Sequence, residues 1–387
     1  MPSQPGDVGI DSVDVNPVGI DTLIRDAAEL AAITAAEADR TGNPVESGLQ
    51  RFGELGALRL DMDRNVGELG TYASLLEAVA AECLSSAFSL WAHRMVVEYL
   101  RAAGSFDVLL EELLSGERAG SIAMATAMQE LAGMGSIPTR AVPDGDGYRV
   151  SGRIAWASNI APGTVIVFPA RVVAAGAADA ADEHGQDASE EDSGARVILC
   201  ATVGETGLHT APVNDLLALG ATRSAMLEFD NLWVDQSRVV ARSLDACRTR
   251  RSTHLTLQSA FCLGLAQRCL TEAAGFLAGP GGILAAHHAR LVSQHAQLTA
   301  TLHRVAADLQ SATPQEITLL RYESARLAHG TARHEATLVG GRGYVTTSAT
   351  NRRLREASFL PVQSPSEIQL LQELEQLGVY PADTYSI

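Results

Sequence analysis

No lysine occurs among the 387 residues; all 29 basic side chains are arginine. That absence removes a P-loop lysine, a kinase lysine, Schiff-base catalysis and a pyridoxal phosphate anchor. Base is also scarce against acid: 29 Arg face 46 Asp and Glu, for a net charge of −17. This balance argues against nucleic acid and anionic membranes as partners. No run of 18 or more apolar residues is present, so no membrane-spanning helix is expected. Residues 1–16 lack the basic start and apolar centre of a signal peptide and read as a disordered N-terminus, which makes the cytosol the default compartment. The five cysteines (Cys83, Cys200, Cys247, Cys262, Cys269) form no CxxC pair and read as reduced, structural thiols. The histidines at 287, 288, 295 and 303 have no carboxylate at ligand spacing. They read as a solvated helix face, and no metal site is expected.

What is present is enough apolar matter, 46% of residues, to bury a large core. It falls into three zones. Residues 17–117 carry Ala, Leu and Glu at helical spacing, as at Leu76, Val79, Ala80, Cys83 and Leu84. Residues 118–240 hold strand-like runs between turn residues: 148–150 after Asp-Gly-Asp-Gly, then 164–169, 196–203 and 225–234. Residues 241–387 are helical again, with proline-free windows that fit three long helices and a shorter one near 364–377. Residues 172–195 hold seven acids and no arginine, and read as a solvated, disordered insertion between two strands. The expected class is mainly α with a central β domain.

Within this order, Gly152-Arg-Ile-Ala-Trp156-Ala-Ser158-Asn159 resembles the Gly-x-Lys-x-Trp-x-(Thr/Ser)-Asn strand of the acyl-CoA dehydrogenase superfamily. Ala125-Thr126 stands where that family has Leu-Thr, at a matching distance from Trp156. Phe229-Asp-Asn-Leu-Trp-Val234, Leu263-Gly264-Leu265-Ala266, Gly340-Gly341-Arg342-Gly343-Tyr344 and Arg352-Arg353-Leu354-Arg355-Glu356-Ala357 resemble its later motifs in the same order. Ser86-Ala87-Phe88 with His93 resembles its N-terminal helix. The matches run from about residue 50 to residue 370.

The resemblance implies an N-terminal helical domain, a middle β-barrel-like domain and a C-terminal four-helix bundle. It implies FAD, with FMN as the alternative. Trp156 would wall the flavin ring, and Thr126 and Ser158 would offer hydroxyls to ring heteroatoms. Gly340 and Gly341 would allow close backbone approach to the cofactor, and Ser366 is a further contact candidate. It also implies a homotetramer or dimer. The arginines at 352, 353 and 355 would tie the bundle to the β domain.

The departures bear on the chemistry. Thr126 is followed by Ala127-Met128 rather than Glu-Pro, and Ala132-Gly133 replaces a phosphate-contacting Ser-Asp. The Arg-x-x-Phe-Gly that reaches a neighbouring subunit's flavin has no counterpart. Removing the α-proton of an acyl thioester needs a carboxylate. Counting from Arg355 puts Ser364 at that site, and counting back from Ile368-Gln369 puts Gln363 there. A minority of the family carries its Glu on the first bundle helix, and His254 matches that position. A histidine near a helix start, capped by Ser252 or Thr253, would be neutral and competent as a base. His254, Gln258, Phe261 and Leu265 share one face.

The resemblance implies, as the first reading, α,β-dehydrogenation of an acyl thioester, with an electron acceptor as partner. The alternative is monooxygenation of a small molecule, using reduced flavin from a partner reductase. A third reading, a non-catalytic protein that kept the scaffold, is disfavoured by the retained Thr126, Trp156 and Ser158. The lysine-free, alanine-rich composition fits a high-GC bacterial genome.

Overall fold

The computed structural model describes residues 17–42, 48–63, 68–174 and 192–381. Residues 1–16 and most of the acidic tract, 175–191, lie outside the described residues.

Five helices come first: α1 (Pro17–Thr41), α2 (Gly48–Glu54), α3 (Gly70–Glu82), α4 (Leu84–Ala103) and α5 (Asp107–Leu114). The sheet follows, with β1 (Gly120–Ile122), the short helix α6 (Ala125–Leu131), β2 (Arg140–Asp144), β3 (Gly147–Ala157), β4 (Val165–Val173), β5 (Asp192–Thr202), β6 (Leu208–Pro212), β7 (Ala225–Asp235) and β8 (Val239–Ala241). The chain ends in α7 (Asp245–Ala274), α8 (Ala285–Ala307), α9 (Pro314–Val339), α10 (Ala349–Ala357) and α11 (Glu367–Gln376). The eight strands run in the order β6-β7-β3-β2-β4-β5-β8, with β1 parallel to β4. Among the described residues, β6 and β8 stand at the two ends of this order.

The three zones share two cores. One, around Phe168, Phe229, Leu227 and Val150, fills the sheet. The other is continuous from α1 through α4 into α7, α9 and α11, so the helices of both chain ends bury a common interior. α7 is its centre: every residue from Thr253 to Ala266 is buried. Gly264 is required there, because a Cβ would lie 2.1 Å from the Glu77 carbonyl oxygen of α3. The family-like glycine is therefore a helix-crossing point within α7 and not the opening of the helix.

Buried ion pairs lock the helices together. Arg94 and Glu98 pair on α4 at 2.7 Å, with Arg94 over the Tyr72 ring and donating to Leu60 O. Arg353 of α10 pairs with Glu335 of α9. Arg355 grips Asp39 of α1 through two bonds of 2.6 and 2.7 Å and donates to Leu217 O, and Arg352 donates to Glu82 O at the end of α3. Among the described residues, the expected tie to the β domain is made through Leu217 O, and most of the arginine bonds run to α1, α3 and α9.

The histidine face also differs from expectation. His303 is exposed and pairs with Glu77. His295 is buried with Nε2 on Leu263 O, and His288 meets His334 at 3.2 Å between α8 and α9. The face contains these packed rings because it is the side of α8 that lies on α7 and α9. The described residues contain no group of three or more His, Cys, Asp or Glu that could hold a metal ion. All five cysteines are free and buried.

Candidate active site

The site is built where the sheet meets the helices. β3 ends at Ala157, and Asn159 turns the chain in the left-handed region (φ 62°). Its side-chain amide donates to Ser89 O on α4 and Gly120 O at the start of β1, both at 3.0 Å. His93 of α4 accepts from Gly120 N. These bonds hold the ends of β3 and β1 against α4. β1 leads directly into α6, which carries Thr126. Gln369 of α11 donates to Met128 O, so α11 and the segment before it pack beside α6.

Trp156 is 58% exposed, although it lies in a strand whose neighbours Ile154 and Ala157 are buried. Among the described residues, the Thr126 hydroxyl is buried without a partner. Ser158 Oγ lies 3.1 Å from Ser224 Oγ, and Ser224 lies 3.0 Å from Thr222 Oγ1. An exposed indole, an unpartnered buried hydroxyl and a second hydroxyl are each groups of the kind a planar heteroaromatic ring uses, so the chemistry of these three residues is compatible with a flavin ring.

The three catalytic candidates converge. His254, Gln363 and Ser364 meet around Gln258 of α7 and Arg321 of α9. Arg321 is wholly buried; its Nε donates to Gln258 Oε1 at 2.9 Å, and its Nη2 to Gln363 Oε1 and Leu360 O. An arginine has no acceptor, so this bond fixes the orientation of the Gln258 amide. The Gln258 NH2 group then faces His254 Nε2 at 3.1 Å and Ser364 O at 2.9 Å. His254 Nε2 must accept, which leaves its proton on Nδ1, and Nδ1 has no partner among the described residues. The Ser364 hydroxyl and Gln363 Nε2 are also buried without partners there.

His254 differs from expectation in one respect. α7 begins at Asp245, so His254 sits in its third turn and not at a helix start capped by Ser252 or Thr253. Its pKa is pushed down to about 3, first by burial and then by the Arg251 and Arg321 charges, opposed by Ser364 O, which lies 3.5 Å from Nε2 and would accept a hydrogen bond only from the protonated ring. The helix terminus has no part in this. Trp91 packs edge-on to the imidazole at 4.8 Å, and Phe88, Trp91, Phe261 and Phe359 fill the space between α4 and α7.

The remaining candidates lie apart. Ser366 caps α11, its oxygen accepting from Gln369 N. Gly340 and Gly341 end α9, where both are exposed and a Cβ would meet nothing within 4 Å. They are about 28 Å along the helix axis from Arg321. One chain does not bring them to the His254 network, because a single long helix separates them. On the other side of α4, a cavity of about 360 Å³ is lined by Ser85, Ser86, Ser89, Asn159, Thr222 and Arg223.

Sequence reasoning missed Arg321, Ser224 and Thr222. Arg321 had a visible signal, a lone charge in Leu319-Leu320-Arg321-Tyr322 on a proline-free helix.

No protein-family model matches the chain, and no curated protein matches it in sequence. Solved structures do match. Butyryl-CoA dehydrogenase from Megasphaera elsdenii superposes with a TM-score of 0.77 at 16% identity, over 95% of this chain and 99% of that one. The chain has the acyl-CoA dehydrogenase fold. A glutaryl-coenzyme A dehydrogenase in complex with glutaryl-CoA gives 0.76 at 18% identity, over 97% and 99%. Dibenzothiophene monooxygenase from Paenibacillus sp. A11-2 gives 0.75 at 15% identity, over 95% and 98%. The acyl-CoA dehydrogenase fold thus includes neighbours named for both reactions that the sequence leaves open, and fold does not choose between them.

Proposed function

We propose that this chain is a flavin-dependent oxidoreductase, and that its reaction is monooxygenation of a small molecule with reduced flavin and oxygen. The observation that carries this reading is the state of His254. Its only lone pair on the ring, at Nε2, is occupied by Gln258, and Gln258 is held in that orientation by Arg321. Burial has also lowered its basicity far below the range useful at neutral pH. No carboxylate among the described residues hydrogen-bonds to this network. α-Proton removal from an acyl thioester therefore lacks its base, whereas oxygenation by a reduced flavin does not call for one at that position.

A bound flavin would supply two-electron chemistry and, when reduced, reactivity with oxygen. The chain's own residues do the rest. Trp156 offers the wall for the ring, and Thr126 and Ser158 orient its edge. The Phe88–Trp91–Phe261–Phe359 cluster keeps water from the side facing α7. Gln363, Ser364 and His254 Nδ1 present neutral hydrogen-bonding groups in place of a negative charge. FMN and FAD both remain within the proposal. A flavin reductase is the proposed partner, and a homotetramer or dimer the proposed assembly.

The test is direct. The purified protein is given FMNH2 or FADH2 from a reductase, and oxygen uptake is followed across a panel of aromatic and heterocyclic small molecules. Substrate-dependent product formation supports the reading. Anaerobic bleaching of bound FAD by an acyl-CoA, without added reductant, would instead establish dehydrogenation.

The second reading, acyl-thioester dehydrogenation, is favoured by one feature: the free Nδ1–H of His254 and the Ser364 hydroxyl could hydrogen-bond a substrate carbonyl. It would still need a base from elsewhere.

A further inference from the structure

We propose that the cavity on the far side of α4 is a second binding site, for a small organic anion: a monocarboxylate carried on an aromatic or branched apolar body. The inference stands apart from the flavin reading and from the His254 network.

The cavity encloses about 360 Å³, within the roughly 300–1,000 Å³ of small-molecule sites. Its lining has two chemistries. Leu30 and Ala38 of α1 and Phe52 of α2 are buried side chains that give it apolar wall. The polar part comes from α4 and from the loops at the ends of the strands.

Most of that polar lining is already satisfied. The Asn159 amide donates to Ser89 O and Gly120 O, the Thr222 hydroxyl to Leu219 O and the Thr164 hydroxyl to Asn159 O. Two hydroxyls are not. Ser85, in the first turn of α4, is only 6% exposed, and its hydroxyl has no hydrogen-bond partner among the described residues. Ser89 lies one turn further along the same face of α4, and its hydroxyl is likewise unpartnered there. A buried hydroxyl without a partner calls for one from outside the chain.

Two arginines supply charge. Arg51 of α2 and Arg223 line the cavity and are exposed, so they stand where it opens to solvent. Neither guanidinium has an ion pair or hydrogen bond among the described residues. Arg118, a third lining arginine, is by contrast bonded to Glu112, Gly163 O and Thr202. Arg223 holds a left-handed backbone, φ 46°, fixed by its N–H on Gly220 O and its carbonyl on Ile160 N. A glycine would adopt that conformation freely, yet a long cation occupies it. Glu117 is the lining carboxylate, so two free cations stand against one acid in a chain of net charge −17.

Guanidinium forks and hydroxyl donors together select a group that only accepts, with several lone pairs in one plane. A carboxylate is that group. The buried apolar wall selects the body behind it, because a bare inorganic anion would leave Leu30 and Phe52 uncovered.

The experiment is a ligand-observed NMR titration of the full chain with benzoate and its neutral isostere benzamide, and with inorganic phosphate as a competitor. Benzoate should bind with a Kd of about 1 mM or tighter, and benzamide and phosphate at least about tenfold more weakly. Arg51→Gln and Arg223→Gln change exposed side chains and should each weaken benzoate about three- to tenfold, and Ser85→Ala about threefold. Trp156→Ala, at the candidate flavin site, should leave benzoate affinity unchanged. No benzoate binding by the wild type overturns the proposal. So does an affinity unmoved in both arginine variants, or one lost in Trp156→Ala, which would put benzoate in the flavin site instead. Phosphate competing as strongly as benzoate binds would overturn the apolar half of the ligand class. None of these outcomes bears on flavin binding, which its own titration decides.

Discussion

The side-chain amide of Gln258 donates to the backbone carbonyl of Ser364 across 2.9 Å, joining α7 to the segment before α11. In the sequence, His254 and Ser364 stand as rival answers to one question, which residue replaces the missing carboxylate. In the fold they are neighbours in a single neutral network. At the positions where the resemblance implies a carboxylate base, this chain carries groups without negative charge: His254, Gln363 and Ser364. The charge in the network is positive, on Arg321, and it is spent on three oxygen acceptors.

Arg321→Met is expected to destabilise the protein by about 2–4 kcal/mol. The buried Gln258 and Gln363 carbonyls and Leu360 O would each lose a charge-assisted donor. Urea denaturation at pH 7 measures this, and a loss below about 1 kcal/mol would show that the network is not held by Arg321. The same variant should free the Gln258 amide to flip.

His254 is expected to be the neutral Nδ1–H tautomer at pH 7, visible in its ring 15N shifts. Its folded pKa of about 3 and that of His93, about 4, both lie below the unfolded value of 6.5. The unfolded chain therefore binds more protons between those limits. Stability contributed by keeping these rings neutral is complete above pH 6.5 and declines as the pH falls toward 3, by up to about 1.4 kcal/mol per pH unit per group. His254→Gln should flatten that decline. If the wild type and the variant lose stability in parallel from pH 6.5 to 4, His254 is not buried as a neutral ring.

Trp156→Ala should weaken flavin binding at least tenfold while changing the thermal midpoint little, because the indole is more than half exposed. Flavin fluorescence titration separates the two effects. Equal affinity in the variant would remove Trp156 from the site.

Gly264→Ala is expected to cost about 3 kcal/mol or more, since the added methyl would collide with the Glu77 carbonyl and force α3 from α7. Gly340→Ala, at a positive φ in open surroundings, should cost about 1 kcal/mol. Denaturation curves for the pair compare a collision with a purely conformational penalty.

Much of the architecture was legible because it rests on local pattern. The proline-free windows mark α7, α8 and α9, and the turn residues before Tyr148 mark β3. The site was legible only in part. Trp156, Thr126 and Ser158 could be picked out by resemblance, because each belongs to a short motif. The His254 network could not, since its meaning depends on which way one amide points, and that is set by Arg321, 63 residues away in sequence from Gln258. His295 was misread because a polar pattern on α8 conceals a face that packs against α7.

The pairing of Val173 with Asp192 at the far end of the β4–β5 ladder has a practical consequence. The chain leaves one strand and enters its neighbour at adjacent positions, so the sheet's register does not depend on how many residues lie between. Loop-closure entropy rises only logarithmically with length. An epitope, a reporter peptide or a whole tethered domain could be spliced in at this point, and the Trp156 end of β3 would be built as before.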